Sequence, residues 1–264
     1  MKNKNILLVD VGNSAVKWSL FTEAKDGGVS EMSHQYYPAD ISADFYNDCW
    51  EGIERPTRVV VSCVARKHVW QSLEQSCEEL WGIKPEKISS IKDGFGLVNA
   101  YESPAELGSD RWCAMIGACH EIQSDLIVVS CGSAITVDVV RYEKNQQVAK
   151  HLGGYILPGL TMMKKSLSTQ TAEVNIETMI SPPSLAPASS TTGCVNAGVY
   201  LAAVKLIEAV FKQQLDNSTN MQCLIAGGDA GLIADLLSIK YVMMPDVVLR
   251  GLAYIAETQI KENN

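Results

Sequence analysis

The chain has 264 residues, of which 47% are hydrophobic and 20% charged, and its formal net charge is -8. That length supports one large buried core or two moderate ones, and that composition excludes wholesale disorder. A net negative field repels phosphate backbones, which argues against a nucleic-acid partner but leaves room for an anionic small molecule in a local cationic pocket. The 8 cysteines run from Cys49 to Cys223 with no CxxC pair and no clustering with the 4 histidines. Structural zinc is therefore not expected, and the thiols read as reduced core residues. The apolar run near the N-terminus is too short for a signal peptide, and no stretch reads as the roughly 18 apolar residues of a transmembrane helix. The expectation is a cytoplasmic protein with no membrane partner.

Ile6-Leu7-Leu8-Val9 is an apolar run that ends in Asp10, followed by a Gly12-Asn13-Ser14 turn and the segment Val16 to Phe21. This pattern predicts a β-hairpin whose first strand is buried on both faces. Residues 59–64 predict another buried strand, and Val69, Leu73, Cys77 and Leu80 fall at helical spacing over 67–81. Gly94-Phe95-Gly96 marks a loop. The next helix has two candidate starts. Ser103-Pro104-Ala105-Glu106 has the form of a capping box with proline at the first helical position. Ser109 can equally cap a helix that begins at Asp110, with Gly108 as a break. The second start is preferred for the main helix, through Met115, Ile116 and Cys119, and it sets Asp110 and Arg111 in the first turn.

From about residue 124 the pattern begins again. Leu126-Ile127-Val128-Val129 is followed by Ser130-Cys131-Gly132-Ser133-Ala134 and then by Ile135 to Val140. At an offset of 120, Val9 meets Val129, Asp10 meets Ser130 and Gly12 meets Gly132, which suggests an internal duplication. Residues 196–214 predict a helix, and 223–226 a strand leading into Gly227-Gly228-Asp229-Ala230 and another helix. The Pro- and Ser-rich segment 181–190 reads as a surface loop or lid.

Four constellations carry chemical content. A carboxylate at the end of a buried strand, as at Asp10, is costly unless it meets a cation, a donor or solvent. Gly12 admits close backbone approach to a phosphate, Asn13 and Ser14 offer donors, and Lys17 adds positive charge. The same residues also suit a plain tight turn. Asp110 beside Arg111 at a helix start can place a general base next to a cation for an anionic substrate, or can be a surface ion pair of little energetic weight. Gly153-Gly154-Tyr155-Ile156-Leu157-Pro158-Gly159 suggests backbone packed close to a ligand or a neighbouring strand. The missing side chains of Gly227-Gly228 would admit a flat adenine, or belong to an ordinary strand-to-helix turn. Neither a GxxxxGK[ST] phosphate loop nor a GxGxxG fingerprint occurs in the chain.

Taken in order from Asp10 to Leu252, these segments resemble the type III pantothenate kinase family, a branch of the actin, sugar kinase and Hsp70-like ATPases. The family's Asp-x-Gly-Asn-Ser/Thr with a following lysine stands here as Asp10 to Lys17, and its Leu-Gly-x-Asp-Arg-Trp, with a preceding tyrosine, as Tyr101 and Leu107 to Trp112. Gly153 to Gly159, Thr192 with Gly198, Gly227 to Asp229, and Leu249 to Leu252 match the remaining motifs. The resemblance implies an α/β, duplicated actin-like (ribonuclease H-like) ATPase fold with two domains and a central cleft, divided here as 1–118 and 119–264. It implies ATP-dependent phosphorylation of pantothenate to 4′-phosphopantothenate, the first step towards coenzyme A, with Asp110 as catalytic base. Tyr101, Gly108, Ser109, Asp110, Arg111, Thr171 and Thr192 are then the substrate residues. Asp10, Val11, Gly12, Asn13, Ser14, Ala15, Val16 and Lys17, with Gly132, Ser133, Gly227 and Gly228, are the ATP residues, Asp10 organising magnesium. Asp138 is a further candidate for positioning water or metal.

The chain departs from the family pattern at Ser130, where the family carries an aspartate near a monovalent cation, and at Ser133, where it carries threonine. Potassium or ammonium is thus implied by the resemblance and put in question by Ser130. The family also implies a homodimer whose pantothenate site is completed across the interface. An alternative of another class is a catalytically weak regulatory relative, a transcriptional accessory factor, for which Ser130 is the foothold.

Overall fold

The first apolar run becomes a central strand because both of its faces are covered. In the computed structural model, which describes residues 5–22, 28–170, 183–216, 218 and 220–262, the chain forms two compact units, residues 1–121 with 246–264 and residues 122–245. Strand β1 (Asn5–Val11) is buried from Ile6 onward. It pairs antiparallel with β2 (Ala15–Thr22), which pairs antiparallel with β3 (Ser33–Tyr36). After α1 (Ala43–Cys49) the chain returns as β4 (Arg58–Cys63), parallel to β1. Helix α2 (Lys67–Trp81) then leads to the short β5 (Glu86–Lys87), parallel to β4. The expected loop around Phe95 is the turn of a small hairpin, β6 (Asp93–Gly94) with β7 (Leu97–Val98).

Period-two alternation decides which helices cover which face. Leu7, Val9, Val11, Val16, Val59, Val61 and Cys63 point one way and pack against Tyr46 of α1, Trp50 just after it, and Val69, Leu73, Cys77 and Trp81 of α2. Ile6, Leu8 and Asp10 point the other way. Both candidate starts of the next helix exist in part. Pro104–Glu106 is a short 3-10 turn, and the main helix α3 runs Ser109–Ile122, so Ser109 is its first residue rather than its cap.

The second unit repeats the plan. Strands β8 (Asp125–Cys131), β9 (Ala134–Glu143) and β10 (Val148–Pro158) are successively antiparallel. Helices α4 (Leu160–Gln170) and α5 (Thr191–Leu215) precede β11 (Met221–Ala226), parallel to β8. The five-residue α6 (Ala230–Ala234) precedes β12 (Val242–Met243), parallel to β11. The order β3-β2-β1-β4-β5 in the first unit thus matches β10-β9-β8-β11-β12 in the second, with the same sense at every pairing. This shared order is the duplication that the two glycine-turn hairpins announce.

Helix α5 revises one expectation. It contains an 18-residue window of mean hydropathy 1.6, long and apolar enough by composition to cross a membrane. Its stripe Val199, Tyr200, Ala203, Val204, Ile207, Val210 and Phe211 is instead buried against Ile127, Val129, Val137, Cys223 and Ile225 of the sheet, which makes it a core helix of this unit. The sequence division runs the second part from 119 to 264, whereas α7 (Val247–Glu262) groups with the first unit. It lies on the face of β1 and β4 opposite α1 and α2, with Leu249, Leu252, Ile255 and Ala256 buried. Helices α3 and α7 cross at close range. A Cβ at Gly251 would lie 1.9 Å from the Cys113 carbonyl oxygen, and one at Gly117 would lie 2.4 Å from that of Val247.

Candidate active site

In the first unit the site grows from the end of β1. Asp10 is paired in register with Lys17 on β2 and with Ser62 on β4, so the three side chains emerge on one face. Asp10 is 9% exposed, and its Oδ1 is buried without a hydrogen-bond partner. Burial raises its carboxyl from the usual 3.8 to about 7; Lys17 pulls it down and Asp110 pushes it up. The hairpin tip beyond it is open, with Asn13 and Ser14 exposed and the turn closed by Gly12 N–H donating to Ala15 O at 3.1 Å. The chain after β3 braces this turn, since Tyr37 N–H donates to Ser14 O at 3.1 Å.

The second carboxylate comes from α3. Asp110 is half-buried in the first turn, and its Oδ1 accepts from the Arg111 N–H at 2.8 Å. Gly108 makes room for it, since a Cβ there would lie 2.6 Å from that same oxygen. Arg111 is 6% exposed, donates from Nη1 to the Tyr101 hydroxyl at 2.8 Å, and lies 5.7 Å from the Tyr101 ring centre. Burial drives the Cys113 thiol well up, and the carboxylates of Asp10 and Asp110 both add to the effect. The structure thus brings together Asp10, Lys17, Asp110, Arg111 and Tyr101. Ser109 stands apart from the sequence expectation: its hydroxyl faces β4 and is engaged there, so any substrate contact of Ser109 runs through its backbone.

In the second unit the equivalent strand end carries Ser130 in register with Thr136, where the first carries Asp10 with Lys17. The turn is one residue shorter, closed from Gly132 N–H to Ala134 O at 3.0 Å. Pro158-Gly159 folds onto it: Gly159 N–H donates to Ser133 O at 3.0 Å, and a Cβ at Gly159 would lie 2.1 Å from Gly132 O. Gly227, at φ +101, has its missing Cβ space filled by the Cys131 carbonyl, 2.1 Å from where a Cβ would stand. That glycine therefore serves backbone packing, and Gly228, with nothing within 4 Å of its Cβ position, is the open one. Asp138 is engaged by His151, with Nε2 and Oδ1 3.0 Å apart and both residues buried. Thr192 is half-buried in the first turn of α5, where Ser190 caps the Gly193 N–H at 3.1 Å. Thr171 lies outside the described residues.

Lys164 carries no motif and escapes sequence reasoning. It is buried on α4 with Nζ 4.9 Å from the Tyr200 ring centre. Burial lowers its ammonium pKa while the charge of Asp229 partly offsets this, and Asp229 in turn is raised by burial and lowered by Lys164. The signal would have been its place one turn after Pro158-Gly159.

Two units of one strand order, each with a glycine-turn hairpin at the end of its central strand, define the actin-like fold that sugar kinases also adopt. An activator of the 2-hydroxyisocaproyl-CoA dehydratase from Clostridium difficile, with bound ADPNP, shares the fold at TM-score 0.54 and 13% identity, covering 98% of this chain and 96% of that one. A conserved Campylobacter jejuni protein, provisionally described as a Baf family transcriptional activator, does so at TM-score 0.53 and 21% identity, covering 97% and 98%. The family model for type III pantothenate kinase matches residues 6–213. A type III pantothenate kinase of Nitrosococcus oceani is 36% identical over 271 residues, covering 97% of this chain and 95% of the relative. The chain belongs to the type III pantothenate kinase family.

Proposed function

We propose that this protein transfers the γ-phosphoryl group of ATP to pantothenate, giving 4′-phosphopantothenate at the first step of coenzyme A biosynthesis. The observation that carries the reading is the approach of Asp10 and Asp110 in one unit, with Lys17 paired to the first and the Arg111–Tyr101 couple following the second.

Phosphoryl transfer asks for positioning and charge stabilisation more than for covalent help. Asp110 takes the proton of the attacking hydroxyl. Arg111, pre-set by Tyr101, holds the carboxylate of pantothenate, for which a planar guanidinium is well suited. Gly12, Asn13, Ser14 and Lys17 meet the phosphates, with Val11, Ala15 and Val16 shaping the turn. The family resemblance assigns Gly132, Ser133, Gly227 and Gly228 of the second unit to ATP as well, and of the two glycines after β11 Gly228 is the open one while Gly227 fixes the turn. Thr192 and Thr171 are the further pantothenate candidates that the family resemblance supplies.

Asp10 would hold magnesium, whose role when bound is to neutralise charge on the nucleotide. A buried carboxylate oxygen without a hydrogen-bond partner fits that role. The fit to potassium or ammonium is poor at the second hairpin, where Ser130 is neutral and Asp138 is already engaged by His151. The regulatory alternative is not favoured, because the family match is to pantothenate kinases and Asp10, Asp110 and Arg111 are retained in the sequence. We further propose a cytoplasmic homodimer.

The test is purified protein with ATP, magnesium and pantothenate, with and without potassium or ammonium, followed for phosphopantothenate. Asp110→Asn should fold like the wild type and give no product; near-normal turnover in that variant removes Asp110 as the base.

A further inference from the structure

Ser62 sits in the run Val-Val-Val-Ser-Cys, where a small polar residue passes for a tolerated member of a core strand. The structure gives it a neighbourhood that burial alone does not require. Ser62 is 0% exposed and is the register partner of Asp10 on the adjacent parallel strand. Both project on the face away from the aromatic core, where α3 lies. The Ser62 hydroxyl is 3.1 Å from that of Ser109, itself 8% exposed, and Ser109 Oγ also accepts from the Cys63 N–H at 3.2 Å. Ser109 is the first residue of α3, and the next is Asp110.

We infer that Ser62 and Ser109 form a hydroxyl clamp that sets the Asp110 carboxylate relative to Asp10, which makes both serines positioning residues for phosphoryl transfer. The path is short: Asp10 on β1, Ser62 beside it on β4, Ser109 bonded to Ser62, and Asp110 on the same helical turn. A helix start docked only by apolar contact can slide or roll by several tenths of an ångström. A buried hydroxyl pair plus a backbone donor defines distance and orientation together, because breaking it strands polar groups away from water. The clamp also accounts for the Ser109 side chain turning away from the substrate side. A second tie supports the same turn from the other direction, with Ser90 Oγ donating to Leu107 O at 2.6 Å.

The inference rests on Asp110 as base, so the experiment runs Asp110→Asn beside Ser62→Ala, Ser109→Ala and the double variant. Each is measured for kcat, for KM of ATP and pantothenate, and for Tm. Each single alanine variant is expected to lower kcat about tenfold, a small misplacement of the base, with KM for ATP within about twofold. The double variant is expected to fall no further than the worse single, since both lose one shared linkage. Should an alanine variant not fold, Ser62→Cys, of similar shape and weaker bonding, carries the test through its kcat at unchanged Tm. Wild-type kcat in the folded serine variants, or losses that multiply in the double variant, would overturn the clamp. Turnover retained by Asp110→Asn removes the base itself, whereas an inactive Asp110→Asn with wild-type serine variants removes only the clamp.

Discussion

Replacing Asp10 by asparagine separates what this carboxylate does for the fold from what it does for the reaction. Its carboxyl is raised from 3.8 to about 7, chiefly by burial, so the folded chain binds that proton more tightly than the unfolded chain does. Stability from this group is therefore fully present below the unfolded value and is lost as pH rises through about 7. Each pH unit between the two values is about a tenfold change in the folding equilibrium, which gives a ceiling of about 4 kcal/mol above pH 7, more than half of it lost between pH 5 and pH 8. Asparagine keeps the shape and cannot ionise. Thermal unfolding of wild type and Asp10→Asn in chelator should show the variant gaining on the wild type as pH climbs from 5 to 8. At about 2–4 °C per kcal/mol, the gap in Tm should widen by roughly 5–10 °C. Magnesium should recover wild-type stability at pH 8 and leave the variant unmoved, while the variant makes no phosphopantothenate. Melting curves that stay parallel from pH 5 to 8 would refute the claim that a buried, ionisable Asp10 is held at an energetic cost.

Other perturbations read different parts of the site. Arg111→Ala should raise KM for pantothenate by about tenfold or more, and an effect confined to the KM for ATP would displace pantothenate from this side chain. Tyr101→Phe removes the acceptor of the 2.8 Å Arg111 bond and should raise the same KM a few-fold with little change in Tm, as checked by steady-state kinetics and calorimetry. Gly227→Ala should destabilise by about 2 kcal/mol or more, through positive φ and collision with the Cys131 carbonyl, whereas Gly228→Ala should leave Tm near wild type and act on KM for ATP. Gly251→Ala should lower Tm by forcing α3 and α7 apart, at a cost of about 1–3 kcal/mol in denaturant titration.

Much of this was legible in the residues. A buried run that ends in Asp10 and turns through Gly12 announces both a central strand and a charge in need of a partner, and the same shape at Gly132 announces the repeat. The matching strand order was not legible, because periodicity gives faces and not neighbours. Helix α7 shows the limit well: Leu249 to Leu252 stands out in the sequence only as a motif, and long-range packing decides that it belongs to a helix on β1 and β4. Gly227 reads in its motif as a small residue near a ligand, yet a carbonyl oxygen of the chain itself occupies the room that it leaves, as another does at Gly251. Ser62, His151 and Lys164 were silent for a related reason. A polar residue in an apolar run reveals its purpose only through a partner distant in sequence, as Asp138 is to His151.

The membership of α7 has a consequence for biosynthesis. Residues 122–245 form an uninterrupted unit, whereas the unit containing β1 needs a helix synthesised more than a hundred residues after its last strand. A nascent chain leaves the ribosome from its beginning, and domains generally form as their segments emerge. Here α7 is made after the whole of residues 122–245, so the face of Ile6 and Leu8 gains this part of its cover only once the contiguous unit has been synthesised.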